Sequence, residues 1–279
     1  MRRETWEKLR SFLFYLAVAA FVLVIIFPFI WQIRTSLMPP QEINSMPPRW
    51  IPSHWFPDYY YNVFVKRGFL KYLKNSFIVS SMTTVVSLAV ASFAAYAIAR
   101  LRFRGKNLIL AMVLTISMLP MVSLISPLFL VLKNLKLLNT YFGLVLPYTT
   151  FAMPLAIWNL TAFFREIPKE LEESAKVDGC SPLQVFARIM VPLAVPGVFT
   201  TAILIFIQAW NEFLLSLTFM TKDAMRTVPV AIALFPGEFE LPWGDIAAAS
   251  VVLTVPLIIL VLVLQRRIIS GLTAGAVKG

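Results

Sequence analysis

Six apolar runs, at about residues 12–32, 75–99, 108–132, 142–164, 196–220 and 246–265, decide most of what this chain can fold into. A helix needs roughly 20 apolar residues to cross a hydrocarbon core about 30 Å thick. Backbone polar groups at that depth must be satisfied internally, which leaves helices or a closed barrel. The barrel signature, alternating strands of about 10 residues, is missing. The expectation is an all-α integral membrane protein with six transmembrane helices. Composition agrees: 59% of the 279 residues are hydrophobic and only 14% charged.

The division along the chain follows. Residues 1–11 read as an N-terminal segment. Run 12–32 is a first transmembrane helix rather than a secretory leader, because it exceeds a signal core and no small-residue cleavage site follows. An external loop spans 33–74, and a core of five helices spans 75–265 with an inserted loop at 165–195. A tail covers 266–279. Basic residues set the orientation. Arg2, Arg3, Lys8, Arg10, Arg100, Arg102, Arg104, Lys106, Arg165, Lys169, Lys176, Arg188, Arg266, Arg267 and Lys278 fall on one side, fifteen of the 25 in the chain. That side, with both termini and the 165–195 loop, is expected to be cytoplasmic.

The formal charge of +11 needs no nucleic acid, since these bases flank spans where anionic lipid headgroups attract them. The single cysteine, Cys180, excludes an internal disulfide. The single histidine, His54, has no companion ligands, so no metal site is expected.

Between spans 1 and 2, "MPPRWIPSHWFPDYYYNVF" sets Trp50, Trp55, Phe56 and Tyr59 to Tyr61 among prolines. It reads either as an aromatic belt at the membrane interface or as a docking surface. "FVKRGFLKYLKNS" suggests a short interfacial helix. Before span 6, "VPVAIALF" is apolar but too short to cross, and suits a segment that dips back under protein cover. Span 2 carries Ser80, Thr84, Ser87, Ala91, Ala94 and Ala95 at helical spacing, a face for close helix packing. Pro120, Pro127, Pro147 and Pro154 interrupt spans 3 and 4 and permit kinks. Span 5 carries Thr201, Gln208, Asn211, Glu212 and Ser216 on one side of a continuous helix. A carboxylate at that depth faces a partner or a watery cavity, so Glu212 is either a hydrogen-bonding anchor or a pathway residue. Gln208, Trp210, Asn211 and Glu212 are the pathway candidates.

The 165–195 loop is parsed by its caps. Pro168 opens a helix with acids in its early turns, and Gly179 ends it. Ser181 caps a second helix with Pro182 at its first position. Leu183, Phe186, Ala187 and Met190 then form an apolar stripe. No phosphate loop, paired catalytic carboxylates or nucleophile–base set is visible; "RGKN" lacks both the first glycine and the Ser or Thr of a phosphate loop. The chain reads as a non-enzyme.

The run Glu173-Ser174-Ala175, three residues, Gly179, nine residues, then Ile189-Met190-Val191-Pro192 resembles the EAA---G---------I-LP loop of permease subunits in binding-protein-dependent ABC importers. Ser174 stands in place of alanine and Val191 in place of leucine. "AWNEFLLSLTFM" and "QRRIISGLTAGAVKG" resemble the sugar-importing branch, the maltose G-type and trehalose-type subunits. The resemblance implies a type I ABC importer permease fold in a bacterial plasma membrane. It implies a second permease subunit, two ATP-binding subunits and an external sugar-binding protein as partners. ATP and magnesium would sit on the partner ATPase, with no cofactor on this chain. By the same resemblance Glu173, Ser174, Ala175, Gly179, Leu183, Phe186, Ile189, Met190 and Pro192 form the ATPase-coupling element. Glu173 would pair with a basic group, and Leu183, Phe186 and Met190 would form the buried face. Gly275, Ala276, Val277, Lys278 and Gly279 would reach the ATPase. A stand-alone secondary transporter or channel is the alternative; it would require coupling acids in several spans, and only Glu212 qualifies.

Overall fold

The computed structural model describes residues 2–235 and 241–274, which are helical with no strand among them. They fall into two compact units. One runs to Phe69 and includes Leu234–Val255; the other comprises Leu70–Ala233 and continues from Pro256.

In the first unit α1 (Arg2–Thr35) is a single long helix with exposed apolar side chains along its length. At its end the Arg34 guanidinium lies 4.3 Å above the Trp31 ring, and its Nε donates to the Arg49 carbonyl at 2.7 Å. Trp50 meets Trp31 edge-on, 5.6 Å between centroids. Two short helices, α2 (Pro40–Ile43) and α3 (Asp58–Tyr61), follow, the latter running into a π turn at Asn62–Lys66. The aromatic loop divides: Trp50 and Trp55 are exposed while Tyr59 is buried. Asp245 holds this unit together, accepting from Arg67 at 2.7 Å and Asn62 at 3.3 Å.

The second unit begins with α4 (Leu70–Arg100). The expected interfacial helix is therefore absent. Gly68, at φ +57°, breaks the chain after the π turn, and Leu70 onward forms the first turns of span 2. Next come α5 (Lys106–Ile116), α6 (Met121–Asn134) and α7 (Phe142–Glu166). The third run is not one straight span: α5 and α6 meet at 91°, because Ser117, Met118 and Leu119 tighten into i→i−3 turns and Pro120 cannot donate the next bond.

Helices α4 and α7 pack face to face through Ala91, Ala95, Ala152 and Ala156, all buried. Small residues permit this approach where lipid supplies no hydrophobic drive. Ser80 and Ser87 of the predicted face are buried too. Then come α8 (Lys169–Val177), α9 (Pro182–Val185), a π turn at Phe186–Met190, α10 (Val191–Leu193) and α11 (Val195–Asn211). The chain continues through α12 (Leu214–Phe219), α13 (Val228–Ala233) and α14 (Trp243–Ala274). The "VPVAIALF" segment is α13: Val228, Val230 and Ala231 are buried and Val228 N donates to Ser76 Oγ at 2.8 Å. Ala233 and Leu234, at its far end, are exposed.

Among the described residues three helices, Trp6–Thr35, Leu70–Arg100 and Trp243–Leu264, are long and apolar enough to cross a membrane, and counting each of two bent pairs as one span gives five. The fourth predicted span, α7, has 25 residues but is not among them. Its Pro147, Tyr148, Thr161 and Pro154 lower its hydropathy, and Pro147, Tyr148, Pro154 and Thr161 are all buried; a helix shielded by protein needs less apolar surface than one facing lipid.

Candidate functional site: the inserted hairpin and the cleft beside α11

The inserted loop is a helical hairpin built by its termini. Pro168 is the residue before α8 rather than its first, with φ −56° and ψ 137°. Glu170 and Glu172 lie in the first turn, where the dipole favours acids. At the other end Gly179 sits at φ +84°. Cys180 N donates to Ala175 O at 3.0 Å and Gly179 N to Lys176 O at 3.1 Å, the double closure of a Schellman motif. Ser181 then makes a full capping box: its Oγ accepts from Gln184 N, and Gln184 Oε1 accepts from Ser181 N at 2.8 Å. With Pro182 at the first helical position, α9 starts one residue after its cap.

The apolar stripe is divided. Phe186 and Met190 turn inward with Val185 and Ala175, all buried. Phe186 stacks on Phe93 at 4.7 Å and lies 5.2 Å from the Tyr96 ring. The two side chains expected to face a partner thus belong to the chain's own core, and Ile189 is half-buried beside them. Of the predicted coupling residues Glu173, Ser174, Gly179, Leu183 and Pro192 are exposed, and Val177 is exposed beside them. Leu183 is 64% exposed and Val177 87%. A helix of four residues followed by a π turn re-aims side chains relative to an ideal i, i+3, i+4 stripe.

Glu172, one residue before the predicted acid, is the one that turns inward. It is 7% exposed. Its Oε1 accepts from Lys176 Nζ at 2.8 Å and from Tyr96 Oη at 3.4 Å, and Oε2 lies 3.7 Å from Arg100 Nε. The bond to Glu172 raises the Lys176 ammonium pKa above its ordinary value. The clue available in the sequence was spacing: 172, 175 and 176 share one helix face.

The pathway candidates separate as well. Helix α11 stops at Asn211, and Glu212 has extended backbone, so the expected continuous span 196–220 is broken. Glu212 Oε1 accepts from Leu215 N at 2.8 Å and Oε2 from Ser216 N at 3.1 Å, capping α12 in the manner of a side-chain N-cap. Tyr148 Oη donates to the same carboxylate. Glu212 is therefore a hydrogen-bonding anchor that also borders a narrow void with Thr83, Tyr148 and Gln208. Gln208 additionally lines a larger cleft of about 690 Å³, with Ser117, Pro127, Thr150, Phe151 and Trp158 among its walls. Trp210 does not reach it. Two positions beyond Gln208 the helix has turned about 200°, and Trp210 is buried against Phe206, 5.6 Å away. Asn211 is exposed and donates to Ile207 O at 3.0 Å. Gly275 to Gly279, expected to contact an ATPase, lie outside the described residues.

A second polar cluster, missed in the sequence, ties the α12–α13 connection to α4. Asn75 donates to the carbonyls of Ala224 and Arg226 at 2.9 and 3.0 Å and accepts from Tyr141 at 2.9 Å. Asp223 accepts from Lys71 and, at 2.7 Å, from Tyr72. These partners lie about 150 residues apart, or 66 for Asn75 and Tyr141, so no local pattern marks them.

Residues 87–273 match the family described as "Binding-protein-dependent transport system inner membrane component". The trehalose transport system permease protein SugB of Mycobacterium tuberculosis (strain CDC 1551 / Oshkosh) is 47% identical, over 90% of this chain and 92% of that protein. The trehalose/maltose transport system permease protein MalG of Thermococcus litoralis is 40% identical, over 98% of this chain and 99% of its own. Among solved structures, a bacterial ABC transporter involved in the import of the acidic polysaccharide alginate aligns with a TM-score of 0.79 at 21% identity. That alignment covers 93% of this chain and 96% of the other, and it shows the fold. The hairpin, the bent helices around the cleft and these likenesses agree: this chain belongs to the inner-membrane components of binding-protein-dependent transport systems and has the fold of ABC importer permeases.

Proposed function

We propose that this chain is one of two permease subunits of an ATP-driven importer for a neutral sugar, a disaccharide or related glycoside. The observation that carries the reading is the hairpin. It is a preformed, doubly capped projection whose exposed face, Glu173, Ser174, Val177 and Leu183, is left without contacts inside the chain's own core. Two ATP-binding subunits, which hold the ATP and magnesium, take up such a face on the basic, cytoplasmic side of the membrane. A second permease completes the pathway and an external binding protein delivers the sugar. Both termini lie in the cytoplasm by the same charge argument. This chain itself carries out no hydrolysis.

The mechanism follows from the packing. Closure of the ATPase pair moves the hairpin; Phe186 and Met190 transmit that movement to α4 and α7, into whose core they are set. Transport is then a population shift between two arrangements of the helices around the cleft, biased by ATP. The sugar assignment is supported by the names of the relatives and by the cleft, which Gln208, Thr150 and Ser117 line with no lysine or arginine among the described residues. An anionic cargo would call for such a group.

The test is uptake. The complex purified through a tag on this chain is placed in proteoliposomes and given radiolabelled trehalose or maltose with its external binding protein. Accumulation that needs both ATP and the binding protein is expected. Uptake driven by an ion gradient without ATP would replace this reading with that of a secondary transporter.

A further inference from the structure

The root of the hairpin holds a buried charge pair that the coupling scheme above does not use. The Arg100 side chain is 3% exposed and that of Glu172 9%, with Nε and Oε2 3.7 Å apart. Arg100 is the last residue of α4. Its terminal nitrogen donates to the carbonyl of Ile167, the corner at which α7 turns into α8. Glu172 belongs to α8, and Tyr96, one turn before Arg100, donates to it as well. One guanidinium therefore meets α4, the α7–α8 corner and the hairpin helix together. Tyr96 and the rings it joins, Phe93, Phe164 and Phe186, pack against one another in the core next to the pair.

Apolar packing alone would join these elements at least as strongly, since a desolvated ion pair is often no more stable than a hydrophobic replacement of the same shape. What a charge pair adds is register: it is satisfied in one relative placement and costly in others. Lys176 contributes little of this, being 51% exposed at its side chain and screened. Glu173, the neighbouring acid, is exposed and has no such role.

We propose that Glu172 and Arg100 are positioning residues for transport: the pair is the strut that fixes the hairpin to α4 and α7, so that movement of the hairpin is delivered to the helices beside the cleft. The proposal rests on the permease reading, so its test has an arm that needs neither ATP nor sugar. In a Cys180→Ser background, nitroxides are placed at Asp178→Cys on the hairpin and Arg104→Cys after α4, in the membrane complex purified through a tag on this chain. The distance distribution between them is narrow with Glu172 present. Glu172→Gln and Arg100→Gln broaden it, Glu172→Asp restores most of the narrowness, and Glu170→Gln, at an exposed acid of the same helix, leaves it unchanged. In proteoliposomes the Glu172→Gln complex keeps its KM for ATP, while stimulation of hydrolysis by the loaded binding protein falls about fivefold or more, the lower bound of a typical coupling energy. A distribution unchanged by Glu172→Gln overturns the strut, whatever the complex transports. A broadened distribution with stimulation intact overturns its part in coupling while leaving the permease reading in place.

Discussion

Gly179 adopts φ +84°, and a Cβ built there meets nothing within 4 Å. The need for glycine is thus one of backbone conformation and not of space. Gly179→Ala is expected to lower stability by about 1–2 kcal/mol, the cost of a left-handed L-residue, with thermal unfolding in detergent as the readout. Gly197 presents the opposite case: its added Cβ would fall 2.2 Å from the Phe163 ring, so Gly197→Ala must displace α11 from α7. Glu212 shows how a single carboxylate decides an element. It satisfies two backbone donors of α12 and the Tyr148 hydroxyl. Glu212→Ala is expected to cost about 1–2 kcal/mol for the lost cap and to leave the Tyr148 hydroxyl without its acceptor. The check is slowed hydrogen exchange at Leu215 and Ser216 in the native protein, lost in the variant. If those amides exchange alike in both, the capping role is refuted.

At the scale of the element, the hairpin was legible because its punctuation is chemical: Gly179, Ser181 and Pro182 each occupy the position their backbone preferences require. The direction of its apolar face was less so. Helical spacing grouped Leu183 with Phe186 and Met190, but the π turn at Phe186–Met190 turned the latter two inward, a local distortion that spacing does not encode. Phe186→Ala should accordingly act as a core deletion and cost about 3–5 kcal/mol, visible as a large fall in Tm; Leu183→Ala should leave Tm nearly unchanged while weakening partner binding. The broken spans were missed for a related reason. The proline in "SMLPMV" permits a kink, yet the i→i−3 turns at Ser117, Met118 and Leu119 that accompany the 91° bend leave no mark in the hydrophobic pattern. The loop clamp on Asp223 adds a pH dependence. Hydrogen bonds from Lys71 and then Tyr72 hold this carboxyl below its ordinary value of 3.8. Because the folded value is the lower one, the stabilisation is present above the ordinary value and lost as pH falls through the depressed one. A nitroxide at Thr221→Cys should therefore stay immobile at neutral pH and loosen only below about pH 4. With Asp223→Asn it should be mobile throughout.

At the scale of the molecule, hydropathy and basic-residue asymmetry defined a polytopic helical membrane protein, and a loop of about twenty residues pointed to its family. What stayed hidden were the contacts joining distant parts of the chain, Arg100 to Glu172 and Asn75 to Arg226, since sequence separation leaves no periodic trace of them. The central claim concerns the exposed face of the hairpin, and Leu183 is its most direct reporter. In a Cys180→Ser background, Leu183→Cys is cross-linked in native membranes with a short bifunctional maleimide, and the captured protein is identified by mass spectrometry. The account predicts an ATP-binding subunit, captured in a yield that changes when ATP and vanadate are added. A residue 183 thiol that reacts fully from the cytoplasmic side yet captures no ATP-binding subunit would contradict it.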